Sequence, residues 1–136
     1  MSRTVPLMLQ ISPADPRPIN KQLTDGIRRL IAGGELAVGD QLPSVRGLAQ
    51  QLTINPNTVA KAYGELTSEG WLDARQGLGL FVAPQRQLLS DAERERRLGL
   101  AIDRFTADVV GLGYPLDDVL GQVETALAPC LKRRSA

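Results

Sequence analysis

LPSVRGLAQQLTINPNTVAKAYGELTSEGWL, residues 42–72, is the stretch on which the fold of this chain turns. It divides at Ile54-Asn55-Pro56 into two amphipathic segments. Ser44 is a good N-cap for the first, because its hydroxyl can accept from a backbone N–H that a first helical turn leaves unsatisfied. Val45, Leu48, Ala49 and Leu52 then fall on one face, at offsets of three, four and seven. In the second segment Asn55 can cap, and Pro56 can open a helix because its missing N–H costs nothing there. Val59, Ala62, Tyr63 and Leu66 point inward, and the face left over carries Asn57, Thr58, Lys61 and Glu65. After Glu69-Gly70 come two short strands, 71–75 and 80–82, joined by Gln76-Gly77-Leu78-Gly79, whose glycines permit backbone angles other residues avoid. Helix, turn, helix and hairpin in this order predict a mainly α fold with a small β-wing: a winged helix-turn-helix.

Upstream, Leu7, Leu9 and Ile11 alternate as in a short strand or extended arm, and 12–18 holds three prolines as a rigid lead-in. Pro18 suits the first position of a helix whose apolar face is Ile19, Leu23, Ile27, Leu30 and Ile31, closed by Gly33-Gly34. Val38-Gly39-Asp40 is a turn, and Pro84 ends this first domain, predicted as 1–84 including the arm. The remainder, 85–136, reads as a two-helix dimerisation domain. Leu98, Ile102, Phe105, Val109 and Leu112 are spaced 4, 3, 4 and 3, a heptad-like seam. Gly111-Leu112-Gly113 stops that helix, and Pro115 starts another with Asp117 and Asp118 in its first turn, where they favour the positive helix end. Its apolar stripe is Leu116, Val119, Leu120, Val123 and Leu127. Two such helices in about fifty residues cannot bury both stripes alone, so a partner surface is expected, most simply a second copy.

Composition removes whole classes of function. At 136 residues with 43% apolar content the chain is globular and not disordered. No apolar run nears the ~20 residues that span a bilayer, and no signal-peptide pattern opens the chain, so a cytoplasmic protein without membrane association is expected. Histidine is absent and Cys130 is the single cysteine, which takes away the usual zinc sets, Cys/His and Ser/His nucleophile pairs and internal disulfides. Cys130 reads as a passive thiol, and neither metal nor cofactor is expected. Asp117-Asp118 has a sufficient role at its helix start, and Gly77-Leu78-Gly79 lacks the following helix a phosphate cradle needs, so no enzyme is expected. Net charge is +1 with eight Lys/Arg against seven Asp/Glu in 1–84 and eight of each in 85–136. The pI of 7.9 falls below the ~9 of a strongly basic nucleic-acid binder. Any case for DNA therefore rests on where single charges sit.

They sit well. In a helix-turn-helix the start of the second helix reaches base edges while the preceding helix crosses the backbone. Asn55, Pro56, Asn57 and Thr58 occupy that start. Asn57 can pair with adenine, and Thr58 can donate to phosphate or touch a thymine methyl, whereas Asn55 reads better as a cap. Arg46 lies off the apolar stripe in a first turn, where a cation opposes the helix dipole, so guanine or phosphate contact suits it better than solvation. Lys61, one turn beyond Asn57, is as open to phosphate contact as to solvation. Arg75 and Gln76 lead into a wing tip that could touch backbone or minor groove. Trp71, Leu66 and Tyr63 read as core, and five aromatics in all leave little for stacking single strands.

With these residues in place the chain resembles the GntR family of bacterial transcription regulators. The matching runs are Gly39-Asp40-Gln41-Leu42-Pro43-Ser44-Val45-Arg46, Leu48-Ala49, Asn55 through Tyr63 (NPNTVAKAY), Leu66, Glu69-Gly70-Trp71-Leu72 and Gly77 through Val82 (GLGLFV). NPNTVAKAY with a short two-helix tail is most similar to the YtrA branch. That resemblance implies no large effector domain, dimerisation through the tail helices, and repression of the protein's own operon, commonly one encoding an ABC transporter. It implies that Arg46 reads a base, that Ser44 and Thr58 hold phosphates, and that Gly77 lets the wing approach double-stranded operator DNA. An unidentified small-molecule effector would have to sit between the tail helices or at the domain junction. The chain departs from its relatives at Pro56, where many have an arginine, at Leu78 and Leu80, where Lys or Thr is common, and at Asn20, where the branch usually has tyrosine. Two alternatives stand beside this one. The winged helix could dock protein instead of DNA. Or the chain could be a fragment of a longer, aminotransferase-bearing relative, against which the well-formed second tail helix argues.

Overall fold

The computed structural model describes residues 6–84, 90–131 and 133, and the chain forms two compact units, Met1–Arg86 and Gln87–Ala136. The first contains α1 (Ile19–Ala32), α2 (Val45–Leu52), α3 (Pro56–Ser68), β1 (Leu72–Arg75) and β2 (Gly79–Val82). The second contains α4 (Asp91–Val109), a 3-10 turn (Val110–Leu112) and α5 (Leu116–Leu127).

Residues 6–11 are an extended arm rather than a strand. Leu7 is fully buried, Met8 exposed, and Leu9 and Ile11 pack on the core, as the alternation predicts. Among the described residues no sheet ladder holds the arm; side-chain amides do. Gln51 Nε2 donates to the Leu7 carbonyl at 2.7 Å. The buried Gln22 accepts from Ser12 N at 3.0 Å and donates to the carbonyls of Ser12 and Arg17 at 3.1 and 3.0 Å. A polar residue in the core is tolerated because these bonds replace its water. Two proline placements need correcting. Pro18 and Pro115 are N-caps with ψ near 150°, so α1 and α5 begin one residue later than expected. Ile19, on the first turn of α1, is 39% exposed and does not join the core.

Leu23, Ile27 and Ile31 of α1 meet Val59, Ala62, Tyr63 and Leu66 of α3, and Leu48 and Ala49 of α2 close the other side. The fully buried Leu7, Leu23, Leu48 and Leu66 each contribute about 1.5–3 kcal/mol. The hairpin pairs Leu72 with Val82 and Arg75 with Gly79. Residues 39–42 run along the far side of β2: Gly39 N bonds the Val82 carbonyl, Val82 N the Asp40 carbonyl, and Leu42 N the Leu80 carbonyl, each at 2.9 Å. That segment covers an otherwise open sheet edge and ties the hairpin to the start of α2.

In the second unit neither α4 nor α5 buries a residue. Leu98, Ile102, Phe105, Leu116 and Leu120 are exposed, and Val109, Val119 and Val123 are half-buried. Leu112, the last residue of the heptad seam, lies in the 3-10 turn and is also exposed, because Gly113 turns the chain at φ 79°. Ser90 caps α4 through Glu93 N at 3.1 Å. Arg96 and Arg97 hydrogen-bond the Glu93 carboxylate and hold it down to about 2. Of the basic cluster at 132–134, Arg133 pairs with Glu124, and Lys132 and Arg134 lie outside the described residues. Among the described residues no helix is long and apolar enough to cross a membrane.

Candidate nucleic-acid interface

The two helices of the candidate reading motif start with different caps. Ser44 Oγ accepts from Gly47 N at 2.9 Å, which leaves its hydroxyl hydrogen free to donate outward. Gly47 suits this cap, since a Cβ there would lie 3.0 Å from Ser44 Oγ. Arg46 is exposed in the same first turn. On α3, Asn55 Oδ1 accepts from Asn57 N at 2.8 Å, so its oxygen serves the cap while its amide nitrogen remains available to donate. Pro56 stands at the first helical position, Asn57 and Lys61 are exposed, and Thr58 is half-buried. Thr53 joins the helices in the left-handed region, φ 56° and ψ 50°, alone among the described non-glycine residues.

Tyr63 fixes the approach to α2. Its hydroxyl donates to the Pro43 carbonyl at 2.9 Å, tying α3 to the residue before the Ser44 cap. Burial pushes this phenol's ionisation well above its ordinary value.

Acids are kept away from these helix starts. Neither α2 nor α3 has an acidic residue in its first turn, whereas α4 has Asp91 and Glu93 and α5 has Asp117 and Asp118. The carboxylates of α3 face α1. Glu65, expected on the outer face, is half-buried and accepts from Asn20 Nδ2 at 3.3 Å. Glu69 pairs with Arg28 at 2.8 Å, and Arg28 also holds Asp25 at 2.8 Å. Arg17 bridges Asp25 and Asp15 at 2.7 and 2.6 Å, and its hydrogen bonds hold the Asp15 carboxyl down to about 2. Exposed pairs of this kind add little stability, but they occupy the acids. Arg46, Lys61 and the Asn57 amide have no side-chain partner among the described residues. The signal for Glu65 and Asn20 was absent from periodicity, because both sit at the margin between faces.

The wing places Arg75 with its guanidinium carbon 4.3 Å from the centre of the Phe81 ring, a cation–π contact that steadies it while it stays exposed. Gln76 is exposed, and Gly77 and Gly79 take φ 75° and 118° on either side of Leu78. Gln41, which sequence reasoning passed over, donates from Nε2 to the Leu78 carbonyl at 2.8 Å. Only its place just before Leu42-Pro43-Ser44 could have drawn notice. The predicted dimerisation residues all belong to the second unit. Among the described residues no group of His, Cys, Asp or Glu could hold a metal ion.

Residues 19–82 match the family described as bacterial regulatory proteins, gntR family. The HTH-type transcriptional regulator YhcF of Bacillus subtilis is 31% identical over 109 residues, covering 80% of this chain and 89% of that one. The HTH-type transcriptional repressor YtrA of the same organism is 42% identical over 76 residues, 56% of this chain and 58% of that one. The pyridoxine biosynthesis regulator PdxR of Corynebacterium glutamicum is 41% identical over 91 residues, 67% of this chain, which spans only 20% of its length. Among solved structures, YtrA from Sulfolobus acidocaldarius, a GntR-family transcription factor, superposes with a TM-score of 0.61 at 37% identity, covering 74% of this chain and 98% of that one. AraR(DBD) in complex with operator ORX1 gives a TM-score of 0.51 at 31% identity over 55% of this chain and 96% of that one.

Proposed function

Because this chain belongs to the GntR family of DNA-binding transcription regulators, on its YtrA-like branch, we propose that it is a homodimeric repressor of its own operon, reading a palindromic operator. The observation that carries this is electrostatic. Two side-chain-capped helix starts are free of acids and bear Arg46, Asn57 and Lys61, whose side chains have no partner among the described residues, whereas the starts of α4 and α5 carry acids. The positive helix ends are thereby left for phosphate.

Arg46 reads a guanine edge and Asn57 an adenine edge, which the missing arginine at Pro56 makes the more important. The Ser44 and Thr58 hydroxyls and Lys61 hold phosphates, with Asn55 contributing through its amide nitrogen. Arg75, Gln76 and the glycine at 77 bring the wing to the flanking groove. The 1–84 domain carries these contacts, and 85–136 pairs two copies through the uncovered stripes of α4 and α5, with half-sites about one helical turn apart or a multiple of it. The operator complex of AraR and the repressor name of Bacillus subtilis YtrA support this assignment, and ABC-transporter genes are the proposed targets.

The test is a titration of the chain's own promoter fragment by fluorescence anisotropy across a salt series. Affinity should fall measurably as salt rises, and Arg46→Ala should cost about 1–3 kcal/mol and relax specificity at one position. Unchanged binding by Arg46→Ala would remove its base-reading role. Near-neutral charge, +1 over the chain, favours one rival, docking of protein by the winged helix. Weak, salt-independent DNA binding would support that rival instead.

A further inference from the structure

We propose that Leu78, at the tip of the β1–β2 hairpin, is an apolar reader of the minor groove that favours A·T over G·C pairs, and that Gln41 is the residue that positions it. This deepens, and rests on, the DNA-binding assignment above.

Leu78 is 65% exposed, in a unit where Leu7, Leu23, Leu36, Leu42, Leu48, Leu66 and Leu72 are buried. It is held at the tip and does not swing freely. Its N–H bonds the Arg75 carbonyl at 2.9 Å, and its carbonyl accepts from Gln41 Nε2 at 2.8 Å. A Cβ on Gly79 would come within 2.8 Å of that same nitrogen, so the brace depends on glycine there. An exposed side chain whose backbone is already fixed loses less freedom when it is gripped.

The shape of the tip suits a narrow cleft. The residues on either side of Leu78 have no side chains, so a single apolar group projects from a thin hairpin, and the minor groove is about 6 Å wide. The brace also sets where the tip can go. Gln41 precedes the Ser44 cap by three residues, and Leu42 N bonds the Leu80 carbonyl at 2.9 Å. Tip and α2 start are therefore joined by one short, hydrogen-bonded segment, and a duplex seated on α2 brings its flanking groove toward the wing.

The chemistry then sets the preference. Leucine offers no hydrogen bond, so it can only fill space against sugar walls and the groove floor. At G·C the guanine N2 amine stands on that floor, where it would block the side chain and lose water without gaining an acceptor. At A·T that group is absent. Apolar side chains do enter the minor groove of a duplex, and their entry there is sensitive to the sequence of the steps they meet.

The experiment uses the full chain and a duplex site obtained by in vitro selection from a random library. A·T, G·C and inosine·C pairs are placed in turn at each flanking position. Inosine keeps guanine's major-groove face and lacks its N2 amine. The unsubstituted chain should bind A·T and inosine·C duplexes alike at one flank and the G·C duplex about fivefold or more weakly. Leu78→Ser and Gln41→Met should abolish most of that ratio while binding the G·C duplex as before, and Leu78→Met should retain it. A ratio that survives in Leu78→Ser, or a flank indifferent to the N2 amine at every position, overturns the proposal. Failure of the unsubstituted chain to select any site overturns the DNA-binding assignment itself, a separate and distinguishable result.

Discussion

Replacing Tyr63 with phenylalanine should expose how the helix pair is held, and the effect should reverse with pH. Tyr63→Phe keeps the buried ring and removes the one bond from α3 to the Pro43 carbonyl, 2.9 Å long. A net hydrogen bond is worth about 0.5–1.5 kcal/mol, and Pro43 is only half-buried, so its carbonyl can recruit water and the loss should be near 1 kcal/mol. In a domain of about 80 residues that lowers Tm by roughly 4–8 °C. Burial raises the folded-state ionisation of Tyr63 above its ordinary 10.0. Above pH 10.0 the unfolded chain therefore loses this proton before the folded chain does, and the tyrosine form loses stability as pH rises, by up to ~1.4 kcal/mol per pH unit. The advantage of tyrosine over phenylalanine, intact below pH 10, should vanish about one unit higher and then change sign. Urea titrations of both proteins from pH 7 to about 11.5, at one fixed protein concentration, measure the difference directly. A difference that is absent at neutral pH, or constant through the alkaline range, would refute both the bond's contribution and the burial argument.

Thr53→Gly should raise the urea midpoint by about 0.5–1 kcal/mol of stability, because relieving a left-handed β-branched residue returns ~1–2 kcal/mol against the ~0.5–1 that glycine loses in the unfolded chain. A lowered midpoint would show that Thr53 makes a contribution its exposed side chain does not reveal. Phe105→Asp places a charge in the middle of the exposed α4 seam and should yield monomers by light scattering, and a persistent dimer would sink the assignment of that seam.

Periodicity and capping residues made the helices legible, because Leu48/Ala49 and Val59/Ala62/Tyr63/Leu66 are both apolar in sequence and buried in fact. Caps at Ser44 and Asn55 were legible for the same local reason: the bonds they make reach only two or three residues along the chain. What the sequence concealed are contacts between side chains far apart in it. Gln22 and Gln51 holding the arm, Asn20 on Glu65 and Gln41 under the wing tip leave no mark on spacing, since a glutamine reads as solvated wherever it stands. Pro18 and Pro115 were each read one position too far into a helix because a proline's fixed φ suits the N-cap as well as the first turn.

These hidden contacts bear on how a chain of net charge +1 can serve as a DNA reader. Bulk charge attracts phosphate from a distance, but only within about 8–10 Å at ordinary salt, so what counts at contact is which charges face the duplex. Asn20, Arg28 and Arg17 draw Glu65, Glu69, Asp25 and Asp15 into partnerships, and the starts of α2 and α3 keep Arg46 and Lys61 with no acid beside them in their first turns. With Arg46 on its guanine, if each copy neutralises one phosphate through Lys61, the salt slope of log affinity is about −0.9 for one copy and −1.8 for a pair. That is a shallow dependence beside those of strongly basic proteins. Specific contacts from Arg46 and Asn57, counted twice, must then supply most of the operator affinity. The uncovered stripes of α4 and α5 are thus as much a part of the proposed reading device as the helix that enters the groove, since they set the number of tips that bind at once.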